Sequence, residues 1–118
     1  MKQTLLGDTS EARVDKAWGY EQLLHNGDYC CKLLVYTQPG KASSLHFHDQ
    51  KTETFVVTSG LFDIEIGDDP PCRCDRGWTV TLHPGTKHRI RCIRPGVIVE
   101  ASTHDFPYDC VRLVPSDD

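Results

Sequence analysis

Three histidines and a glutamate in this 118-residue sequence fall at spacings that suit a metal ion. His46 and His48 are two residues apart within the strand-like run 43–48. Side chains at i and i+2 of a strand leave the same face, so both imidazoles can reach one ion. Phe47 between them would point the other way and pack behind. The segment 49–52 can turn the chain so that the next run, opening at Glu53, lies alongside. Two neutral imidazoles and a carboxylate suit divalent Zn, Mn, Fe, Co or Ni, and a further histidine can complete one side while leaving positions for substrate or water. His88, just after Pro84 and Gly85, is best placed for that. Against this stands a plainer picture, with surface-turn histidines and a solvated Glu53; four potential ligands in order weigh against it.

The elements that must hold these residues read as strands. Runs rich in β-formers cover 19–24, 29–38, 43–48, 53–59, 61–66, 79–82, 88–93, 97–103 and 109–114. Turn residues break them, including Asn26-Gly27-Asp28, Pro39-Gly40, Ser59-Gly60, Gly67 to Pro71, His83-Pro84-Gly85 and Pro95-Gly96. Short strands separated in this way are the signature of an all-β sandwich or barrel, and no segment predicts a helix. In 62–66, Phe62, Ile64 and Ile66 share one face while Asp63 and Glu65 share the other, so one side of that strand is wet. Residues 1–15 lack a clear period and are expected to form an arm or a short edge element ahead of a barrel over 16–118.

A chain of this length holds one domain, able to bury a core without disulfide staples. Charged residues make up 25% and apolar residues 38%, ordinary for a globular protein. The net charge of −4 and scattered basic residues argue against nucleic acid as a partner. The densest basic stretch, 87–94, reads as a strand with its charges facing out. The N-terminus shows no apolar signal region and nowhere do about 18 apolar residues run together, so the expectation is a cytoplasmic protein with no membrane span. The six cysteines lack zinc-knuckle or thioredoxin spacing and are expected to be reduced thiols. Cys31 shares strand parity with Leu33 and Val35 and is expected to be the buried member of its pair, whereas Cys72 and Cys74 lie in a Pro-rich turn region that could be exposed.

Gly40, five residues, His46-x-His48, four residues, Glu53, six residues and Gly60 resemble the first motif of the cupin family. Gly77, Pro84, Gly85 and His88 resemble the second less closely: the usual proline position is His83, and Cys92 stands where an asparagine often follows. The resemblance runs from about 18 to 112. It implies a double-stranded β-helix, or jelly-roll barrel, with the ligands pointing inward and a substrate at the mouth. The stretches around Trp18 to Glu21, 32–40, 46–53 and 102–105 are similar to small cupins related to type II mannose-6-phosphate isomerases, which implies a carbohydrate substrate.

Aldose–ketose exchange needs a Lewis acid on the substrate oxygens and a base that moves a proton between adjacent carbons. Glu100, within the apolar run 97–101, is a candidate base if it points inward; it could equally face solvent. Lys51 could bind a sugar hydroxyl or phosphate, or be an exposed turn lysine. His104, followed by Asp105, could transfer a proton or serve the turn. Arg89, Arg91 and Arg112 could clamp a phosphate, although no Gly-rich loop accompanies them. Trp18, Tyr20, Tyr36 and Trp78 could stack on a sugar or belong to the core. Three classes of function follow: a metal-dependent sugar or sugar-phosphate isomerase or epimerase, a non-haem iron dioxygenase, and a non-catalytic sugar or nucleotide-sugar binding module. A homodimer is expected, with 19–24 or the arm covering an open sheet edge.

Overall fold

The computed structural model describes residues 12–118. Eleven strands account for its regular structure: β1 (Arg13–Lys16), β2 (Gly19–Asn26), β3 (Tyr29–Tyr36), β4 (Leu45–His48), β5 (Glu53–Val57), β6 (Leu61–Ile66), β7 (Cys72–Cys74), β8 (Thr79–Leu82), β9 (His88–Arg94), β10 (Gly96–Thr103) and β11 (Cys110–Val114). They form a six-stranded sheet in the order β1-β2-β3-β10-β5-β8 and a five-stranded sheet in the order β11-β4-β9-β6-β7. Every named pairing is antiparallel. The result is an all-β, double-stranded β-helix of the jelly-roll type.

Alternation along the strands builds the interior. Phe55 and Val57 of β5, Phe62 and Ile64 of β6, Ile90 and Cys92 of β9 and Ile98 of β10 are all buried and join Leu34, Tyr36 and Trp18 in one core. Trp18 stacks on Tyr36 with centroids 4.2 Å apart, and Tyr36 meets Phe62 edge-on at 5.1 Å. Burying one such large side chain contributes about 1.5–3 kcal/mol.

The inward parity that fills this core also carries the polar groups. Two residues along from Phe55 lies Glu53, two from Ile90 lies His88, and two from Ile98 lies Glu100; all three are buried. Two residues of strand span about 7 Å. The barrel interior is therefore apolar at one end and densely charged at the other. Ile98 pairs with Leu34 and Val57, whereas Glu100 pairs with Lys32 and Phe55.

One crossing requires glycine. The turns after β5 and β9 pass so closely that a Cβ on Gly60, where φ is +87°, would lie 2.7 Å from the Arg94 carbonyl oxygen and 2.7 Å from Gly96 Cα. No side chain fits there, and the backbone conformation itself disfavours one.

The strands differ from the sequence expectations at β7 and in β3. Much of the expected arm or edge element, residues 1–11, lies outside the described residues, and Arg13–Lys16 forms β1 and pairs with β2. This leaves β1, rather than β2, at the sheet edge. A short strand, β7, occupies the Pro-rich region and pairs Cys74 with Phe62, which buries Cys74 while Cys72 stays exposed. In β3 the inward parity is that of Cys30, Leu34 and Tyr36, so Cys30 is buried and Cys31 only partly so. Lys32 shares that inward face, and its charge there disguises the alternation. Arg89 and Arg91 turn out from the core as expected, and all six cysteines are free thiols.

Candidate metal centre

β4 and β9 bring the three histidines together. His46 pairs with His88 across the two strands, and His48 lies two residues further along β4 on the same face. One ring nitrogen from each of His46, His48 and His88 lies within 4.8 Å of the others. Backbone acceptors set two of the rings. His46 Nδ1 lies 3.0 Å from the Ser44 carbonyl oxygen and 2.9 Å from the Ser44 hydroxyl, and His88 Nδ1 lies 3.0 Å from the Thr86 carbonyl oxygen. A carbonyl only accepts, so each Nδ1 is the N–H and each Nε2 lone pair is left for the interior.

Glu53, 2% exposed, stands beside this group rather than inside it. Its Oε1 lies 2.9 Å from His88 Nε2, and its Oε2 lies 3.7 Å from His48 Nε2 and 3.3 Å from Lys51 Nζ. None of these contacts is aligned as a hydrogen bond. Both Glu53 oxygens, His88 Nε2 and His48 Nδ1 are buried without a hydrogen-bond partner among the described residues. Each such atom costs about 1–3 kcal/mol. Three of them, the two Glu53 oxygens and His88 Nε2, lie together and fit a cation that would accept their lone pairs, while His48 Nδ1 faces Asp109 and its Nε2 faces Glu53. The donor set of imidazoles and a carboxylate suits a divalent transition ion.

Charge states agree with that chemistry. Burial, reinforced by the neighbouring His88 and His48, lowers the His46 pKa to about 3. Burial likewise lowers that of His48, against the pull of Glu53. Both rings are therefore neutral near pH 7, the form that ligates metals. Burial alone would raise the Glu53 pKa, but the contact with His88 and the Lys51 ammonium outweigh it and hold the carboxyl well below its ordinary range.

A cavity of ≈ 200 Å³ opens beside the histidines, its wall including Lys51, Glu100 and Asp105. Glu100 points inward and is 5% exposed; burial and the Glu53 charge push its pKa up to about 6, with Lys51 and Lys32 opposing. Lys51 is 3% exposed, so it is not an exposed turn residue. Its ammonium donates to Glu100 Oε2 and to Asp105 Oδ1, both at 3.2 Å. Burial favours the neutral amine, yet Glu100, Glu53 and Asp105 together raise its pKa. Beyond it, Lys32 donates to Asp105 Oδ2 at 2.9 Å and stands 3.8 Å from Glu21.

Other expected residues lie elsewhere. His104 does not line the cavity; its Nδ1 faces the Gly27 carbonyl oxygen at 2.7 Å and its ring meets Phe106. Arg89 and Arg91 pair with Asp117 at 3.1 and 3.2 Å. Trp18 and Tyr36 belong to the core while also lining the inner cavity, and Tyr20 lies under Arg13.

Asp109 was not legible as a site residue. It is 1% exposed and accepts hydrogen bonds from Gln50 N at 2.7 Å and Lys51 N at 3.2 Å, so it holds the 49–52 turn that delivers Lys51. Its Oδ2 also lies 3.6 Å from His48 Nδ1. An aspartate just before a strand gives no sign of this; only the pairing of β11 with β4 creates it.

A barrel of this topology with histidines converging on its inner face defines a cupin. The cupin domain family matches residues 33–101, more than half of the sequence, and the chain belongs to that family. No curated protein matches it. Among solved structures, ectoine synthase from P. lautus superposes with a TM-score of 0.78 at 13% identity, covering 100% of this chain and 94% of that one. An uncharacterized conserved protein with a double-stranded β-helix domain from Klebsiella pneumoniae gives 0.74 at 15% identity, covering 98% and 100%. KdgF from Halomonas sp. gives 0.72 at 14% identity, covering 80% and 88%. These identities carry the fold alone, and the fold hosts varied chemistries. Among the described residues no helix is long and apolar enough to cross a membrane.

Proposed function

We propose that this cupin is a metal-dependent isomerase or epimerase of a small sugar or sugar phosphate. His46, His48 and His88 hold a divalent ion, Zn, Mn, Fe, Co or Ni, with Glu53 as the fourth ligand. When bound there, the ion supplies Lewis acidity to the carbonyl and hydroxyl oxygens of the substrate. Glu100 takes the proton from the hydroxyl-bearing carbon beside the carbonyl and returns it to the former carbonyl carbon, while the hydroxyl proton passes between the two adjacent oxygens. Lys51 keeps Glu100 oriented and places a positive charge where the enediolate oxygens develop negative charge.

The observation that carries this reading is the Glu100 carboxyl, buried, 3.2 Å from Lys51 Nζ, and on the same cavity wall as the three histidines. A carboxyl whose pKa is pushed up to about 6 is matched to accepting and returning a proton near neutral pH. The apolar rings of Trp18 and Phe55 on that wall help exclude water from the transfer.

The test is carbon-bound deuterium exchange. Metal-loaded protein is incubated in heavy water without oxygen with aldoses, ketoses and their phosphates, and the C–H signals are followed by NMR. The expected result is exchange that falls by about 10²–10⁴-fold in Glu100→Gln. Metal-loaded protein that exchanges no C–H in any sugar, or that turns over only with oxygen uptake, would overturn the reading. The homodimer belongs to the same proposal, with β1 and its exposed Val14 at the edge to be covered; light scattering that finds only monomer would remove it.

A further inference from the structure

The charges around the cavity are accounted for with one exception. Lys51 has Glu53, Glu100 and Asp105; Lys32 has Asp105 and Glu21; Lys16 stands 3.6 Å from Glu21. Of the three arginines that could have clamped a phosphate, Arg89 and Arg91 are engaged by Asp117 on the outer face of β9. Arg112 lines the cavity, and no carboxylate lies within ion-pair distance of it among the described residues.

The backbone aims this side chain. Arg112 of β11 pairs directly with His46 of β4, and directly paired residues of antiparallel strands put their side chains on the same face, with Cβ atoms about 4.5–5.5 Å apart. The pairing shifts between Arg112 and Val114, leaving Leu113 as an extra, exposed residue. Bulges commonly redirect a side chain at a barrel rim. Arg112, an exposed residue, thus stands at the cavity edge, one strand away from His46 of the candidate metal centre.

Overall charge points the same way. Lys16, Lys32, Lys51 and Arg112 on the wall balance Glu21, Glu100, Asp105 and the adjoining Glu53. With the buried Asp109 beside His48 counted as well, a divalent ion on neutral imidazoles would leave one positive charge unmatched, for an anionic ligand to balance.

We infer that Arg112 is the anchor for an oxyanion of the substrate, so that the cavity takes a small polyhydroxy acid or sugar phosphate rather than a neutral sugar. This deepens the isomerase reading and rests on it for the polyhydroxy character of the ligand. Carboxylate and phosphate present the same pair of oxygens to the planar fork of arginine, which binds both bidentately. Arg112 touches the substrate at a point away from the reacting carbons and so sets specificity.

The test uses metal-loaded protein and three probes on one six-carbon skeleton, D-gluconate, D-glucose 6-phosphate and D-glucose, titrated calorimetrically into wild type, Arg112→Gln and Arg112→Lys. At least one anion is expected to bind wild type about 10- to 100-fold tighter than glucose. That margin is expected to disappear in Arg112→Gln and to return in part in Arg112→Lys, with metal content unchanged in all three. The two anions tell a carboxylate pocket from a phosphate pocket. Glucose binding as tightly as both anions, neither anion binding at about 10 mM, or an anion preference that survives Arg112→Gln would each overturn the inference. The deuterium-exchange assay separates this result from the reaction. Arg112-dependent anion binding without C–H exchange sinks the isomerase and leaves the anchor. Exchange in neutral sugars that Arg112→Gln does not alter does the reverse.

Discussion

Replacing Lys51 by methionine keeps the bulk of its aliphatic stem and removes its charge. The ammonium stands 3.2 Å from Glu100, 3.2 Å from Asp105 and 3.3 Å from Glu53, in a residue only 3% exposed. At an effective dielectric of about 20, each contact is worth roughly 5 kcal/mol of attraction, most of it offset by the cost of taking charges out of water. Deleting one partner of such a buried group leaves Glu53 and Glu100 without their shared cation and costs about 3–5 kcal/mol. For a domain of this size the midpoint of thermal unfolding should fall by roughly 10–20 °C. Urea unfolding of chelator-treated protein, followed by Trp18 and Trp78 fluorescence, measures the loss. Adding Glu100→Gln to Lys51→Met should recover about 1 kcal/mol or more, because one stranded carboxylate is gone.

The pH dependence of that loss has a definite sign. The Lys51 pKa is raised from 10.5, so its stabilisation is full below that value and is lost only as pH climbs through the higher folded value. The Asp105 pKa is lowered from 3.8 even though burial alone would raise it, because its bond to Lys32 and the charges of Lys32 and Lys51 prevail. Its contribution is present above 3.8 and lost as pH falls through the lower folded value. The gap between wild type and variant should be widest between about pH 7 and 10, where Glu100 is ionised as well. A loss below about 1 kcal/mol throughout, as expected of an exposed lysine, would refute the reasoning.

Three further outcomes follow from the same geometry. In chelator-treated protein, Glu100, with its pKa raised from 4.5 to about 6, adds stability that is full below 4.5 and fades as pH rises through 6; a pH series of urea unfolding should lose about 2 kcal/mol of that slope in Glu100→Gln. Gly60→Ala forces a Cβ against the Arg94 carbonyl oxygen and Gly96 in a left-handed backbone conformation and should cost more than about 1 kcal/mol in the same assay; an unchanged midpoint would contradict the tight crossing. Asp109→Asn disturbs the His48 ring and the 49–52 turn and should weaken metal binding about 10- to 100-fold in a chelator competition, while circular dichroism stays that of the wild type.

What could be read before folding depended on how local the signal was. His46 and His48 were legible because strand periodicity alone puts them on one face, and Glu53 and His88 because turn residues mark where their strands begin. The orientation of Glu100 was not, because the run 97–101 is apolar at Val97 and Val99 as well as at Ile98. β10 lies between β3 and β5, so its outer face is half-buried too, and hydrophobicity does not distinguish the sides. Lys32 misled for the opposite reason, being a charge on the inward face of β3, tolerable only because Glu21 arrives from β2 and Asp105 from the loop after β10. β7 was hidden by the Asp and Pro residues before it, and Lys51 by a turn whose burial depends on Asp109, nearly 60 residues later.

The most direct test of the metal centre is the metal content of the purified protein. Mass spectrometry of the bound element and titration of the chelator-treated protein with Zn, Mn, Fe, Co and Ni should give one divalent ion per chain in wild type. In His46→Ala and His88→Ala the ion should be lost while circular dichroism still reports the β-barrel. Wild-type protein that binds no divalent ion, or histidine variants that bind as tightly as wild type, would contradict the central claim.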